Sequence, residues 1–290
     1  MAIELRSGTA RAVILPEHGG RLHQLLLDHE GREEPLLWSP ADPAAYDARP
    51  THGGSFPMAP WPNRIAASRF RWRDTGYEVP GGGKPNAIHG RVLDVPWDVV
   101  ARTARVCELT ATFDEGWPWP GKAWQRFELS ATALRMKLEV RAAREPFPAG
   151  CGWHPWFRRD AFGATDVRLT LPASELYLAE HDLPTGEVCP PSGDHDFRAG
   201  ASLGDRRVDS CYRGLSGPIE IDWGARRLHI TVSAIEPHVM LYTPDHAFCI
   251  EPQTCAPDAF NLAARGVPNT GLAIAAPGRP VAIESTWSWS

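Results

Sequence analysis

Glu251 closes the apolar run Phe248-Cys249-Ile250, and a carboxylate at the end of a buried strand costs free energy unless it has a partner or a task. It is the first candidate for chemistry. His154 is the second, set within Gly152-Trp153-His154-Pro155-Trp156-Phe157. A carboxylate and an imidazole ionise close enough to neutrality to take and give protons in turn, and each well-placed group of this kind is worth about 10²–10⁴-fold in rate. Read alone, His154 fits a satisfied core or strand-end histidine better than a catalyst. Other reactive patterns are incomplete. Gly81-Gly82-Gly83-Lys84 has Pro85 where a phosphate loop needs Ser or Thr to hold magnesium, so it reads as a turn. There is no His-Glu-x-x-His helix and no Gly-x-Ser-x-Gly nucleophile elbow to anchor a zinc peptidase or a serine hydrolase. Cys151 and His154 could form half a metal site, but no second pair stands at ligand spacing. Neither a metal nor a cofactor is expected.

The elements that must position these groups read as strands. Phe127, Leu129 and Ala131 alternate with Arg126, Glu128 and Ser130 over 125–133, and Met136, Leu138 and Val140 alternate with charged residues just after. Such period-two patterns fit antiparallel sheets with one wet face. Leu228, Ile230 and Val232 repeat the pattern behind the turn-like Trp223-Gly224-Ala225, which predicts a hairpin. Further strands are predicted at 12–15, 22–27, 97–102, 106–113, 167–171, 239–243 and 281–287. The 28 prolines and 26 glycines fall mostly between them and favour many short strands over helices. One short helix is predicted at 257–264, with Pro at its start and Gly266 beyond its end. The irregular stretches 40–63, 81–89, 116–122 and 184–209 are long for plain connections, and sites are commonly built on such loops. Of the 12 tryptophans, Trp117-Pro118-Trp119 is the best candidate for a cleft wall.

With 43% hydrophobic and 22% charged residues, a chain of 290 can bury a substantial core, and 1–290 is expected to form one all-β domain. Thirty Lys plus Arg against 35 Asp plus Glu give a formal charge of −5, which argues against a broad nucleic-acid surface. The expected partner is small and uncharged. The N-terminus lacks a signal pattern and no apolar run reaches membrane-spanning length, so a cytoplasmic protein without a membrane partner is expected. The six scattered cysteines are expected as free thiols. Nothing in the sequence sets an oligomeric state.

Four segments, in order along the chain, resemble the aldose 1-epimerase family. The first is Asn63-Arg64-Ile65 after a Gly- and Pro-rich stretch, followed by Ile88-His89-Gly90. Next come Gly152-Trp153-His154-Pro155-Trp156-Phe157 and then Asp209-Ser210-Cys211-Tyr212. The last is Ile250-Glu251-Pro252-Gln253, running on to Pro257-Asp258-Ala259-Phe260-Asn261. The resemblance implies an antiparallel β-supersandwich of the galactose mutarotase-like type. It also implies Glu251 as general base and His154 as general acid, with Arg64, His89 and Asp209 holding the sugar. Two departures bear on the substrate: Ser210 stands where many relatives have His, and Arg91 where a second Gly is common.

Such an enzyme would interconvert the α and β anomers of a free aldose. The proton leaves the C1 hydroxyl while the ring oxygen gains one, the aldehyde opens, and after rotation about C1–C2 the same groups work in reverse. Glu251 must then be ionised and His154 protonated together, and a nearby carboxylate is expected to raise the imidazole pKa above its usual ~6.5. Three rivals remain: an epimerase of sugar phosphates, a non-catalytic carbohydrate-binding module on the same scaffold, and a two-carboxylate glycoside hydrolase or lyase. The last would need a second acid that no motif marks.

Overall fold

A computed structural model describes residues 1–290. Two large antiparallel sheets, of eleven and nine strands, make up most of it. The nine-stranded sheet is built largely from the alternating segments, among them Val106–Thr112, Gly121–Leu129, Ala133–Ala142, Arg227–Ser233 and Val281–Trp289. Its apolar side meets the eleven-stranded sheet, for example where Trp287 lies 5.1 Å from Phe157 and Trp223 lies 6.2 Å from Phe248, ring centre to ring centre. No helix is long and apolar enough to cross a membrane.

Towards one edge, the eleven-stranded sheet runs Ser55–Met58, Gly152–Arg158, Ala247–Gln253, His238–Tyr242, Asp209–Leu215, Ala173–Glu180, Leu183–Cys189. Residues directly opposite across strands share a face, so the register sorts the side chains. Gly152 pairs with Gln253 and Trp156 with Cys249, which sets His154 opposite Glu251 between them. Glu251 pairs with Met240, Met240 with Cys211, and His154 with Phe56. One row across the sheet therefore reads Cys211, Met240, Glu251, His154, Phe56. The neighbouring row reads Asp209, Tyr242, Cys249, Trp156. The alternate residues Trp153, Phe157, Phe248, Ile250, Val239 and Leu241 point the other way, into the core between the sheets.

Every residue of Ala247–Gln253 is buried. A strand covered on both faces carries no polar alternation, so this one shows in the sequence only as the apolar run before Glu251, and Gly152–Arg158 and Ser55–Met58 were not predicted. Two other expectations are corrected. The strand expected over 125–133 stops at Leu129, because the Ser130 hydroxyl accepts from the Ala133 amide at 2.9 Å and turns the chain into Ala133–Ala142. The stretch 184–209 is not one loop: it holds most of the strand Leu183–Cys189 and, at its end, the start of Asp209–Leu215. The short helix forms at Ala259–Ala264, and a second one-turn helix spans Ala45–Ala48.

Gly152 pairs with Gln253 on one side and Met58 on the other, two residues before His154. A Cβ there would sit 2.5 Å from the Pro252 carbonyl oxygen and 2.9 Å from the Gln253 Cα, both backbone atoms that cannot swing aside. Gly152→Ala is expected to destabilise the fold by about 1–3 kcal/mol, the usual cost of overpacking. Chemical denaturation of the variant measures it, and wild-type stability would contradict the register described here.

Candidate active site

His154 and Glu251 face each other across adjacent strands with His154 Nε2 3.3 Å from Glu251 Oε1. Both are withheld from water, at 6% and 2% exposure. They form the floor of a cleft of about 260 Å³, whose walls include Arg64, His89, Asp209, Trp156, Tyr242, His52 and Lys84. That lies just below the ~300 Å³ at which pockets for drug-sized ligands begin, and suits a ligand about the size of one sugar ring. All five residues singled out in the sequence meet in this cleft.

The loops that bring Arg64 and His89 over the sheet are held by backbone contacts. Arg64 follows Asn63, whose φ is 53° and whose side-chain oxygen accepts from the Arg64 amide at 2.8 Å. Behind it, the Arg64 carbonyl accepts from the Asp258 amide at 2.7 Å, and the Asp258 carboxylate accepts from the Ala66 amide at 2.9 Å and from Asn261 Nδ2 at 2.7 Å. His89 has φ 62° and donates its amide to the Asn63 carbonyl at 2.9 Å. Gly90 follows at φ 80°, where a Cβ would stand 2.1 Å from the Ala59 carbonyl oxygen. Only glycine lets the chain pass there. The His89 ring then meets His154 edge-on, centres 5.2 Å apart at 86°.

Burial dominates the electrostatics. It pushes Glu251 well above the usual carboxylate range, with Asp209 adding to the effect and Arg64 opposing it. It pushes His154 down to about 3, and holds His89 well below its ordinary value. Asp209, at the exposed start of its strand, is raised by partial desolvation in the cleft, against the pull of Arg64. The expectation that Glu251 would hold His154 as an imidazolium is thus corrected. Desolvation is the largest cause for both, and it favours the neutral form of each group. The pair as a unit carries one proton, because either adding a second or removing the first leaves an isolated buried charge.

Several residues in the cleft, and Asp182 just outside it, had no signal in the sequence. Asp182 approaches Arg64 at 3.5 Å from the tip of the hairpin joining Ala173–Glu180 to Leu183–Cys189. His181 and Asp182 there have φ of 50° and 63°, the left-handed pair of a two-residue hairpin turn. Lys84 comes from the glycine-rich turn, and His52 and Tyr242 enter through the fold alone. Trp117 and Trp119 are not a cleft wall: they are buried at 3% and 6%, against Trp61, Phe70 and Phe147. Ser210 contacts His195 at 3.2 Å and Arg91 pairs with Asp114, so neither departure lines the cleft.

No group of three or more His, Cys, Asp or Glu is placed to hold a metal ion. Cys151 lies against the Leu138 and Val281 carbonyls in the core, on the other side of its strand from His154. The letters Gly-x-Ser-x-Gly do occur, at Gly200 to Gly204, but Ser202 ends the two-residue edge strand Ala201–Ser202 and no helix follows it as an elbow requires.

The sequence model of the aldose 1-epimerase family matches residues 1–284. The chain is 26% identical over 223 residues to the uncharacterized protein YphB of Escherichia coli, covering 72% of this chain and 75% of that one. It is 25% identical over 218 residues to the uncharacterized protein YihR of the same organism, covering 70% of each. Among solved structures, a galactose mutarotase-like protein of Clostridium acetobutylicum matches with a TM-score of 0.85 at 20% identity, over 100% of this chain and 95% of that one. The galactose 1-epimerase of Lactobacillus acidophilus matches with a TM-score of 0.81, also at 20% identity, over 100% and 94%. At these identities the structural likeness establishes the fold.

The raised Glu251 pKa carries a stability consequence whose sign is fixed. A carboxyl that binds its proton more tightly when folded stabilises the fold below its unfolded pKa of ~4.3, and that contribution is lost as pH climbs toward the folded value. Glutamine mimics the protonated acid at every pH. Glu251→Gln is therefore expected to melt at a higher temperature than wild type near pH ~8 and at the same temperature near pH ~4. Melting curves at the two pH values check this, and a variant destabilised at high pH would show that the carboxylate is ionised and well satisfied instead.

Proposed function

Because the chain belongs to the aldose 1-epimerase family, a family of isomerases, we propose that it interconverts the α and β anomers of a free aldose. The observation that carries this reading is the contact of Glu251 with His154 at 3.3 Å on the floor of a cleft walled by Arg64, His89 and Asp209. Glu251 takes the proton from the C1 hydroxyl. The C1–O1 link becomes the aldehyde carbonyl, the C1–O5 bond breaks with its electrons on O5, and O5 takes a proton from His154. After rotation about C1–C2 the steps run in reverse, with the new O5–H proton returning to His154 and O1 reprotonated from Glu251. Asp209 accepts hydrogen bonds from sugar hydroxyls, and Arg64 donates charge-assisted ones to oxygens that gain negative charge.

The pair's single proton is what this chemistry needs: one donor and one acceptor at once. Its resting place in the free site favours a second reading in which the roles are exchanged, because burial neutralises Glu251 as an acid and leaves His154 as a free base. A crystal structure of Glu251→Gln with a bound aldose separates the two by showing whether residue 251 lies against O1 or against O5.

A free sugar suits the cleft better than a phosphorylated one. Two cations line it, Arg64 and Lys84, and Arg64 already faces Asp182 and Asp209. The other arginines that a phosphate could have recruited are engaged elsewhere: Arg91 with Asp114, Arg158 with Glu34 and Asp160, and Arg159 with the carbonyls of Ala247, Gly204 and Pro244. The intact acid–base pair counts against a non-catalytic binding module.

NMR exchange spectroscopy across a panel of free and phosphorylated aldoses tests the proposal, with accelerated anomer exchange expected for at least one free aldose. Glu251→Gln is expected to lower kcat by about 10²-fold or more, while Asp209→Asn mainly raises KM. No acceleration with any aldose, or near-normal turnover in Glu251→Gln, would contradict it.

A further inference from the structure

A working histidine ordinarily donates from its second ring nitrogen to a carboxylate or carbonyl, which fixes ring plane and tautomer. His154 lacks that bond: its buried Nδ1 has no partner from any other residue. What surrounds the ring is a set of flat side chains. Phe56, its cross-strand partner, lies nearly parallel to it with centres 4.7 Å apart and planes 24° apart. Trp156, two residues along the same strand, is nearer parallel still, at 5.4 Å and 15°.

The backbone of Trp156 is fixed on both sides, and its indole Nε1 has no partner, so packing alone holds the ring. Its amide donates to the Gly54 carbonyl at 2.8 Å and its carbonyl accepts from the Trp38 amide at 2.7 Å. The indole stacks with His52 at 5.2 Å and 22° and with His246 at 5.7 Å and 18°, and Tyr242 meets it at 90°. A tryptophan lining a sugar cleft is ordinarily a platform for the C–H face of the ring. Here imidazoles already occupy the indole's stacking surface, and Trp156 is only 3% exposed.

We propose that Trp156 is a positioning residue whose indole, together with Phe56, replaces the missing Nδ1 hydrogen bond and keeps His154 Nε2 aimed at Glu251 and the reacting oxygens. Aromatic pairs of this geometry attract beyond what their burial contributes, which restrains a short side chain with two torsions. The inference rests on the epimerase reading for its catalytic consequence and on geometry alone for the clamp.

Steady-state kinetics of two variants separate the roles. Trp156→Leu keeps bulk without a flat ring and is expected to lower kcat about tenfold or more with KM changed less than about threefold, whereas Trp156→Phe restores most of kcat. A platform would show the opposite split, so Trp156→Leu with normal kcat and raised KM overturns the proposal, as does a Trp156→Phe no better than Trp156→Leu. Should Trp156→Leu fail to fold, NMR of the wild-type His154 ring decides. Ring protons shifted upfield by the stacked faces, with one sharp tautomer, are expected; unshifted and exchange-broadened signals would overturn the clamp. The NMR result needs no turnover, so a wild type inactive on every aldose would fail the epimerase reading while leaving the clamp judged on its own.

Discussion

Two ionisable side chains 3.3 Å apart and almost wholly removed from water are the constraint around which this site is arranged. Adding a proton to the pair creates a lone buried cation, and removing one creates a lone buried anion. Either costs several kcal/mol in a medium that cannot solvate it. The pair therefore keeps one proton between a carboxyl pushed up and an imidazole pushed down. For a reaction that moves one proton onto a sugar and takes another off, this is a donor and an acceptor in fixed supply. Under the proposed ring opening, no net charge would enter or leave the cleft.

The fold produces that burial on both sides of one strand. Beneath Glu251 lie Ile250, Phe248 and the core shared by the two sheets, while beside it on its own face lie Cys211, Met240 and Cys249. Burial raises the Cys211 and Cys249 thiols, so they stay uncharged and give the carboxylate little to bond with. Above, the chain crosses in loops that place Asn63, His89, Asp182 and Asp258 at positive φ. Asn, Asp and His tolerate that conformation better than other L residues, and such positions gather at functional sites, where the surrounding structure must hold them. The Asn63–His89 and Arg64–Asp258 backbone bonds do so here.

How much of this was legible in the sequence follows from what each residue touches. The half-exposed strands of the nine-stranded sheet announced themselves through alternation, because one face meets water. Ala247–Gln253, buried throughout, did not, and neither did the register that sets His154 against Glu251. The five cleft residues were legible as motif members through family resemblance, and the structure brings them together. Asp182, His52 and Tyr242 were not, since each arrives from a segment with no motif. The direction of the His154 shift was misread for a physical reason. A sequence shows that a carboxylate is a partner, but not that both partners are dry, and desolvation reverses the outcome.

Residue-specific NMR titration of the wild-type pair, following the His154 ring nitrogens and the Glu251 carboxyl carbon together, reads the shared proton itself. Neither group is expected to change charge by itself near its ordinary value, ~6.5 for the imidazole and ~4.3 for the carboxyl, and one shared proton is expected to persist across neutrality. Two independent titrations at those ordinary values would contradict it.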